Sequence, residues 1–189
     1  GVLNREAITR IAELAVKHDL TVLADEIYAE ILFEGEHVSI ATMPGMAERT
    51  IILDGFSKTY AMTGWRLGYG AMPVEFAGVI AKLMVNSNSC TSMAVQRAGL
   101  EALTGPQDAV LDMVAAFRRR RELIVDGLNA IDGITCLKPK GAFYVFPNIT
   151  GTGLPSKPFA DYLLQEHGVA ALSGTAFGAY GEGYLRLSY

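Results

Sequence analysis

An α/β architecture follows from three features of this 189-residue sequence. Short, nearly continuous apolar runs stand at 21–24, 50–53 and 67–72. Segments with helical spacing of apolar residues flank them, the pattern of a sheet covered on both faces. Further along, the strands become shorter and are set among helices and a loop rich in Gly and Pro. The expectation is the end of a larger domain with a parallel or mixed sheet, residues 1–90, followed by a smaller α+β domain, residues 91–189. The boundary is placed within 86–105.

The elements follow in order. Residues 4–18 read as an amphipathic helix, with Asn4 placed to cap it and Ile8, Ile11, Ala12 and Ala15 on one face. The strand at 21–24 ends on Asp25, and the strand at 50–53 runs into Asp54-Gly-Phe-Ser-Lys58. Pro73 suits the start of a helix that reaches about Met84. The polar stretch 86–92 breaks the pattern, which resumes from Met93 to Leu103 and stops at Gly105-Pro106. A long helix is expected over 107–129. Beyond it come strands near 134–137 and 143–146, a loop over 148–158, a helix at 159–167, and strands at 169–172 and 184–188. There are no repeats and no low-complexity segments.

Composition narrows the function classes. Half of the residues are apolar and 19% are charged, enough for a substantial core. A net charge of -4 gives no reason to expect nucleic acid or an anionic membrane as partner. Cys90 and Cys136 lack metal-ligand spacing, so neither a disulfide framework nor a metal site is expected, and a reducing cytoplasm is the default. His18, His37 and His167 are scattered and suggest no zinc site. No apolar run approaches the ~18 residues that span a bilayer. The opening Gly-Val-Leu-Asn-Arg-Glu has neither the basic start nor the apolar middle of a signal peptide. It lacks a starting Met and opens close to a helix, so the natural protein is expected to begin earlier.

Several reactive side chains follow the apolar strands. Asp25 ends the first and Tyr28 comes shortly after. Ser57 and Lys58 follow the second, and Arg66 lies beyond them. Ligands of open parallel sheets bind outside the carboxyl ends of the strands, where these residues fall. Singly, each has a plainer role: a turn former or cap for Asp25, a solvated group for Lys58 or Arg66, a packing residue for Tyr28. Three other features read as structural. Arg118–Arg121 would point around the whole circumference of a helix and form no single basic face. Met43, Met46, Met62, Met72 and Met84 read as core fillers. Gly151-Thr-Gly153 lacks the strand and helix that a phosphate cradle needs.

Taken together, Ala24-Asp-Glu-Ile-Tyr28 and Ser57-Lys-Thr-Tyr-Ala-Met-Thr-Gly-Trp-Arg-Leu-Gly-Tyr69 resemble the fold-type I aminotransferases that depend on pyridoxal 5'-phosphate (PLP). The resemblance is to the class I/II family that includes aspartate aminotransferase. It covers the whole chain: Gly141-Ala-Phe-Tyr-Val-Phe146 fits the family's small domain and Gly181-Glu-Gly-Tyr-Leu-Arg-Leu-Ser-Tyr189 its end segment. It implies the C-terminal portion of such an enzyme, the end of the PLP-binding large domain followed by the small domain.

By this resemblance Lys58 holds PLP as an internal Schiff base and serves as the general base. Asp25 pairs with the pyridine nitrogen, Tyr28 donates to the phenolic oxygen, and Ser57 and Arg66 clamp the phosphate. In 184–188 the alternation of a strand puts Leu185 and Leu187 on one face and Arg186 on the other. The resemblance makes Arg186 the residue that grips the substrate's α-carboxylate, against the plainer reading of an edge-strand arginine facing water. It implies transamination between an amino acid and a 2-oxo acid, aspartate with 2-oxoglutarate being the favoured pair, in a homodimer without nucleic-acid or membrane partners. Aromatic, alanine or broad specificity stays open, since the 86–92 segment carries no cation for a second carboxylate. Two alternatives share these residues: a PLP-dependent C–S lyase, and an aminotransferase-like effector domain of a transcription regulator. The family's remaining cofactor contacts would lie upstream or on the partner subunit, so residues 1–189 alone are expected not to transaminate.

Overall fold

The computed structural model describes residues 2–189. They form two compact units, one running to Asp112 and the other spanning Met113–Tyr189.

The first unit opens with α1 (Arg5–Lys17). The Asn4 side chain accepts from the Ala7 N–H at 2.9 Å, satisfying one of the donors a helix start leaves open. Ile8, Ala12 and Ala15 pack with Val38, Ile40, Met43 and Met46, and Val22 and Ala24 add to the cluster. Ile11 flanks the 8–12–15 row rather than lying in it, and is 40% exposed.

β1 (Val22–Asp25), β2 (Thr50–Gly55) and β3 (Gly68–Ala71) form one sheet in that order. β1 and β2 are parallel, with Asp25 opposite Leu53. β3 is antiparallel, with Gly68 opposite Gly55. The carboxyl ends of β1 and β2 and the start of β3 therefore share one end of the sheet. The expected cover on both faces differs from what is found. α1 and the 38–46 segment lie on the face of Val22 and Ala24, while Leu23, pointing the other way, is 64% exposed and β3 is exposed throughout.

α2 (Phe56–Thr59) is a single turn. α3 (Val74–Ser87) follows Pro73 and buries none of its residues. Met84, expected in the core, is exposed on it, whereas Met43, Met46 and Met62 are buried. α4 (Met93–Thr104) is capped by Ser92, which accepts from the Val95 N–H. It ends where the Gly105 N–H bonds the Glu101 carbonyl. α5 (Asp108–Asn129) matches the long helix read from sequence.

The second unit contains β4 (Tyr144–Val145), α6 (Ser156–His167), β5 (Leu172–Ser173) and β6 (Leu185–Ser188). The sheet order is β4-β6-β5, antiparallel throughout. Leu187 packs against two small clusters, Val125 with Cys136 and Val145, and Ile149 with Ala160 and Leu185. The strand expected at 134–137 is reduced to an isolated bridge between Thr135 and Asn148. The reason is local: the Asn129 carboxamide takes both the N–H and the carbonyl of Cys136, at 2.8 and 3.0 Å, the groups a neighbouring strand would need. In the arginine run, Arg118 to Arg120 are exposed, while Arg121 is buried and bonds Glu122 and the Pro139 carbonyl. Gly151 lies in a short 3-10 turn, Thr150–Thr152, rather than in the loop expected, and a Cβ on it would meet Gly133 Cα at 2.6 Å. Among the described residues, no helix is long and apolar enough to cross a membrane.

Candidate active site

Strand pairing brings five of the six candidate residues to one end of the first sheet. Asp25 is the last residue of β1, exposed, and its carboxylate accepts from the Ile27 N–H at 3.3 Å. The following Glu26 N–H reaches across to the Leu53 carbonyl, which ties the turn after β1 to β2. Tyr28 is half-buried in that turn. β2 ends at Gly55 and passes directly into α2, whose single turn carries Ser57 and Lys58, both half-buried. Gly55 is required by space: a Cβ there would lie 2.9 Å from Gly68 Cα and 3.0 Å from the Leu67 carbonyl oxygen.

The segment from Lys58 to Arg66 is tightly folded. The Ala61 N–H bonds the Lys58 carbonyl, and the Met62 N–H bonds that of Phe56. Ala61 and Arg66 both hold left-handed backbone, at φ 53 and 55, a conformation that costs an L-residue about 1–2 kcal/mol. Arg66 is exposed, and its Nη1 donates to the Thr63 carbonyl at 2.8 Å. Only Leu67 separates it from β3, so it stands at the same end of the sheet as Asp25 and α2.

Asp54 was not singled out from sequence, yet it braces this end. One oxygen accepts from the Gly55 N–H at 2.6 Å and the other from the Tyr69 hydroxyl at 3.0 Å. Burial, with the Asp54 carboxylate beside it, pushes the Tyr69 phenol up to about 12. Asp54, Tyr60, Tyr69, Leu103 and Gln107 line a cleft of about 270 Å³, in which the Tyr60 hydroxyl donates to Gln107. No signal in the sequence marked this pair, because only the antiparallel register of β2 and β3 sets Asp54 opposite Tyr69.

Arg186 lies in the second unit, on β6 opposite Leu172. Its guanidinium carbon is over two rings, 4.7 Å from the centre of Tyr144 and 4.6 Å from that of Phe177. Among the described residues, no hydrogen bond or ion pair engages this half-buried guanidinium. The turn leading into β6 is fixed from behind. Glu182 Oε1 accepts from the Ser156 N–H at 2.8 Å and from its hydroxyl at 3.1 Å. Ser156 Oγ in turn accepts from the Gly183 and Tyr184 N–H groups, at 2.7 and 3.2 Å. The Ser156 N–H above all holds the Glu182 carboxyl below its ordinary range. That bond also explains why α6 starts at Ser156, earlier than its apolar spacing suggests: a carboxylate meets its first N–H.

The first unit thus presents a carboxylate, two hydroxyls, an amine and a guanidinium near one sheet end. This donor set fits a molecule with a basic ring nitrogen, a hydroxyl acceptor, a carbonyl open to an amine, and a phosphate. Among the described residues, no group of three His, Cys, Asp or Glu side chains could hold a metal ion.

The chain belongs to the class I and II aminotransferases, whose family model matches residues 1–189. It is 44% identical to an aspartate aminotransferase of Pyrococcus abyssi over 192 residues, covering 100% of this chain and 49% of that protein. It is 43% identical to aromatic-amino-acid aminotransferase 2 of Thermococcus litoralis, again over 100% of this chain and 49% of the relative. Its structure superimposes on that of the aromatic aminotransferase from Pyrococcus horikoshii with a TM-score of 0.96 at 44% identity, covering 100% of this chain and 51% of the other. The chain therefore spans about half the length of the relatives it matches.

Proposed function

We propose that this chain supplies the cofactor lysine and the substrate arginine of a PLP-dependent aminotransferase that exchanges the amino group of aspartate with 2-oxoglutarate. The carrying observation is the convergence of Asp25, Ser57, Lys58 and Arg66 on the end of one sheet, set by the β1–β2 and β2–β3 registers. PLP, when bound, supplies an electron sink for the substrate's α-carbon. Lys58 Nζ would hold the cofactor, and the same amine would take the proton from that α-carbon. The Asp25 carboxylate keeps a ring nitrogen protonated by its opposite charge. The Tyr28 hydroxyl donates to the phenolic oxygen. The Ser57 hydroxyl and the Arg66 fork bind the phosphate. Arg186, on its own strand in the second unit, binds the substrate's α-carboxylate.

The aspartate pair is supported by the name of the Pyrococcus abyssi relative. The protein works as a cytoplasmic homodimer in this proposal. The test is a donor and acceptor screen on the whole protein. Aspartate and 2-oxoglutarate should give the highest kcat/KM, and a preference for an aromatic donor over aspartate would refute the assigned pair.

A further inference from the structure

We infer that Tyr144 and Phe177 are positioning residues that hold the Arg186 guanidinium ready for a carboxylate. The inference rests on the role proposed above for Arg186.

An arginine side chain has rotamer entropy to lose when it is fixed. Here two rings restrain it before any ligand arrives, with its guanidinium carbon 4.7 and 4.6 Å from their centres, inside the ~6 Å range of cation–π attraction. A ring face attracts the cation but has no lone pair to occupy its N–H groups. The donors therefore stay uncommitted, in keeping with the lack of a hydrogen bond to this guanidinium among the described residues. Had a carboxylate held the arginine, an incoming anion would have had to displace it.

The rings are themselves supported. Phe146 meets Phe177 edge-on, with centroids 6.0 Å apart at 81°, and stacks on Tyr184 at 5.2 Å and 9°. Tyr144 is fixed by its pairing with β6 through Ser188, two residues along that strand from Arg186 and so on the same face. Phe177 ends a short turn, Gly174–Phe177, that starts where the Gly174 and Gly181 backbones touch. A Cβ on Gly181 would lie 1.9 Å from the Gly174 carbonyl oxygen. Phe177 nonetheless keeps 52% of its surface exposed, so it contributes little to the core. Its ring over Arg186 is the contact that gives a large apolar side chain a purpose at this position.

The experiment uses the whole protein loaded with cofactor and the variant Phe177→Leu, which removes the ring from an exposed site without emptying the core. KM for every α-amino acid donor should rise roughly tenfold at little-changed kcat. Calorimetric binding of an α-methyl amino acid, which has no α-proton to lose, should weaken by the same factor. Phe177→Tyr, which keeps a ring, should restore both values. Tyr144→Leu should act in the same direction. In an Arg186→Ala background, Phe177→Leu should add less than about twofold, because the ring would have nothing left to position. If Arg186→Ala raises KM but Phe177→Leu does not, the positioning role is wrong and the role of Arg186 stands. Should Arg186→Ala leave KM unchanged, the role of Arg186 falls and this inference with it. A loss of kcat at constant KM in Phe177→Leu would likewise overturn it.

Discussion

Replacing Ser156 by alanine removes one oxygen from the point where α6, the 181–184 turn and β6 meet. Ser156 is fully buried, and its Oγ accepts from the Gly183 and Tyr184 N–H groups while donating to Glu182. In Ser156→Ala the buried Gly183 donor loses its partner, at about 1–3 kcal/mol. The half-buried Tyr184 N–H still bonds the Gly181 carbonyl at 3.2 Å, so its loss is smaller. Glu182 keeps the Ser156 backbone N–H. The sum is about 2–4 kcal/mol, or a fall in Tm of roughly 5–12 °C for a chain of this length. Urea denaturation followed by far-UV circular dichroism measures it. Because β6 carries Arg186, KM for the amino acid should also rise. A stability within about 0.5 kcal/mol of the parent would show that the turn does not depend on this hydroxyl, and would refute the reasoning.

Other substitutions probe the remaining supports. Gly55→Ala puts a methyl 2.9 Å from Gly68 Cα. It should cost about 1–3 kcal/mol and weaken PLP binding, read by equilibrium dialysis, since the strand leading to Lys58 must shift. Tyr69, raised to about 12, favours folding most fully below the unfolded value near 10 and loses that contribution as pH rises toward 12. Tyr69→Phe should therefore flatten the alkaline limb of a stability–pH curve. Glu182 has the opposite sign. Its lowered carboxyl contributes above the ordinary carboxylate range and loses that contribution as pH falls, so Glu182→Gln should flatten the acid limb. Arg186→Ala should weaken every amino-acid substrate alike, by about 2–5 kcal/mol, as the kcat/KM of several donors would report. Loss of one donor alone would make Arg186 a side-chain selector.

What could be read from the sequence was mostly local. The Asn4 cap, the 8–12–15 row of α1, Pro73 at the head of α3 and the strand before Asp25 are short-range signals, and they appear where the spacing places them. The motif around Lys58 led to the family that the full-length match of the chain bears out. Long-range pairing was not legible. Nothing in 134–137 indicates that Asn129 will satisfy Cys136 and leave a strand unmade. Ser156 and Glu182 are far apart in sequence, so neither announces the bond that sets the start of α6. The rings over Arg186 come from β4 and from a turn before β6, and only the antiparallel register brings Tyr144 alongside. The direction of β3 is a tertiary fact too: its run suits either orientation, and only its pairing with β2 shows it to be antiparallel.

The central claim is that Lys58 holds the cofactor, and one measurement addresses it directly. The whole protein is loaded with PLP, reduced with borohydride, digested, and its peptides mapped by mass spectrometry. The account predicts a single pyridoxyl adduct on the peptide containing Lys58, and none in Lys58→Ala, whose circular dichroism should remain that of the parent. An adduct spread over Lys82, Lys138 and Lys140, or one that persists in Lys58→Ala, would contradict it.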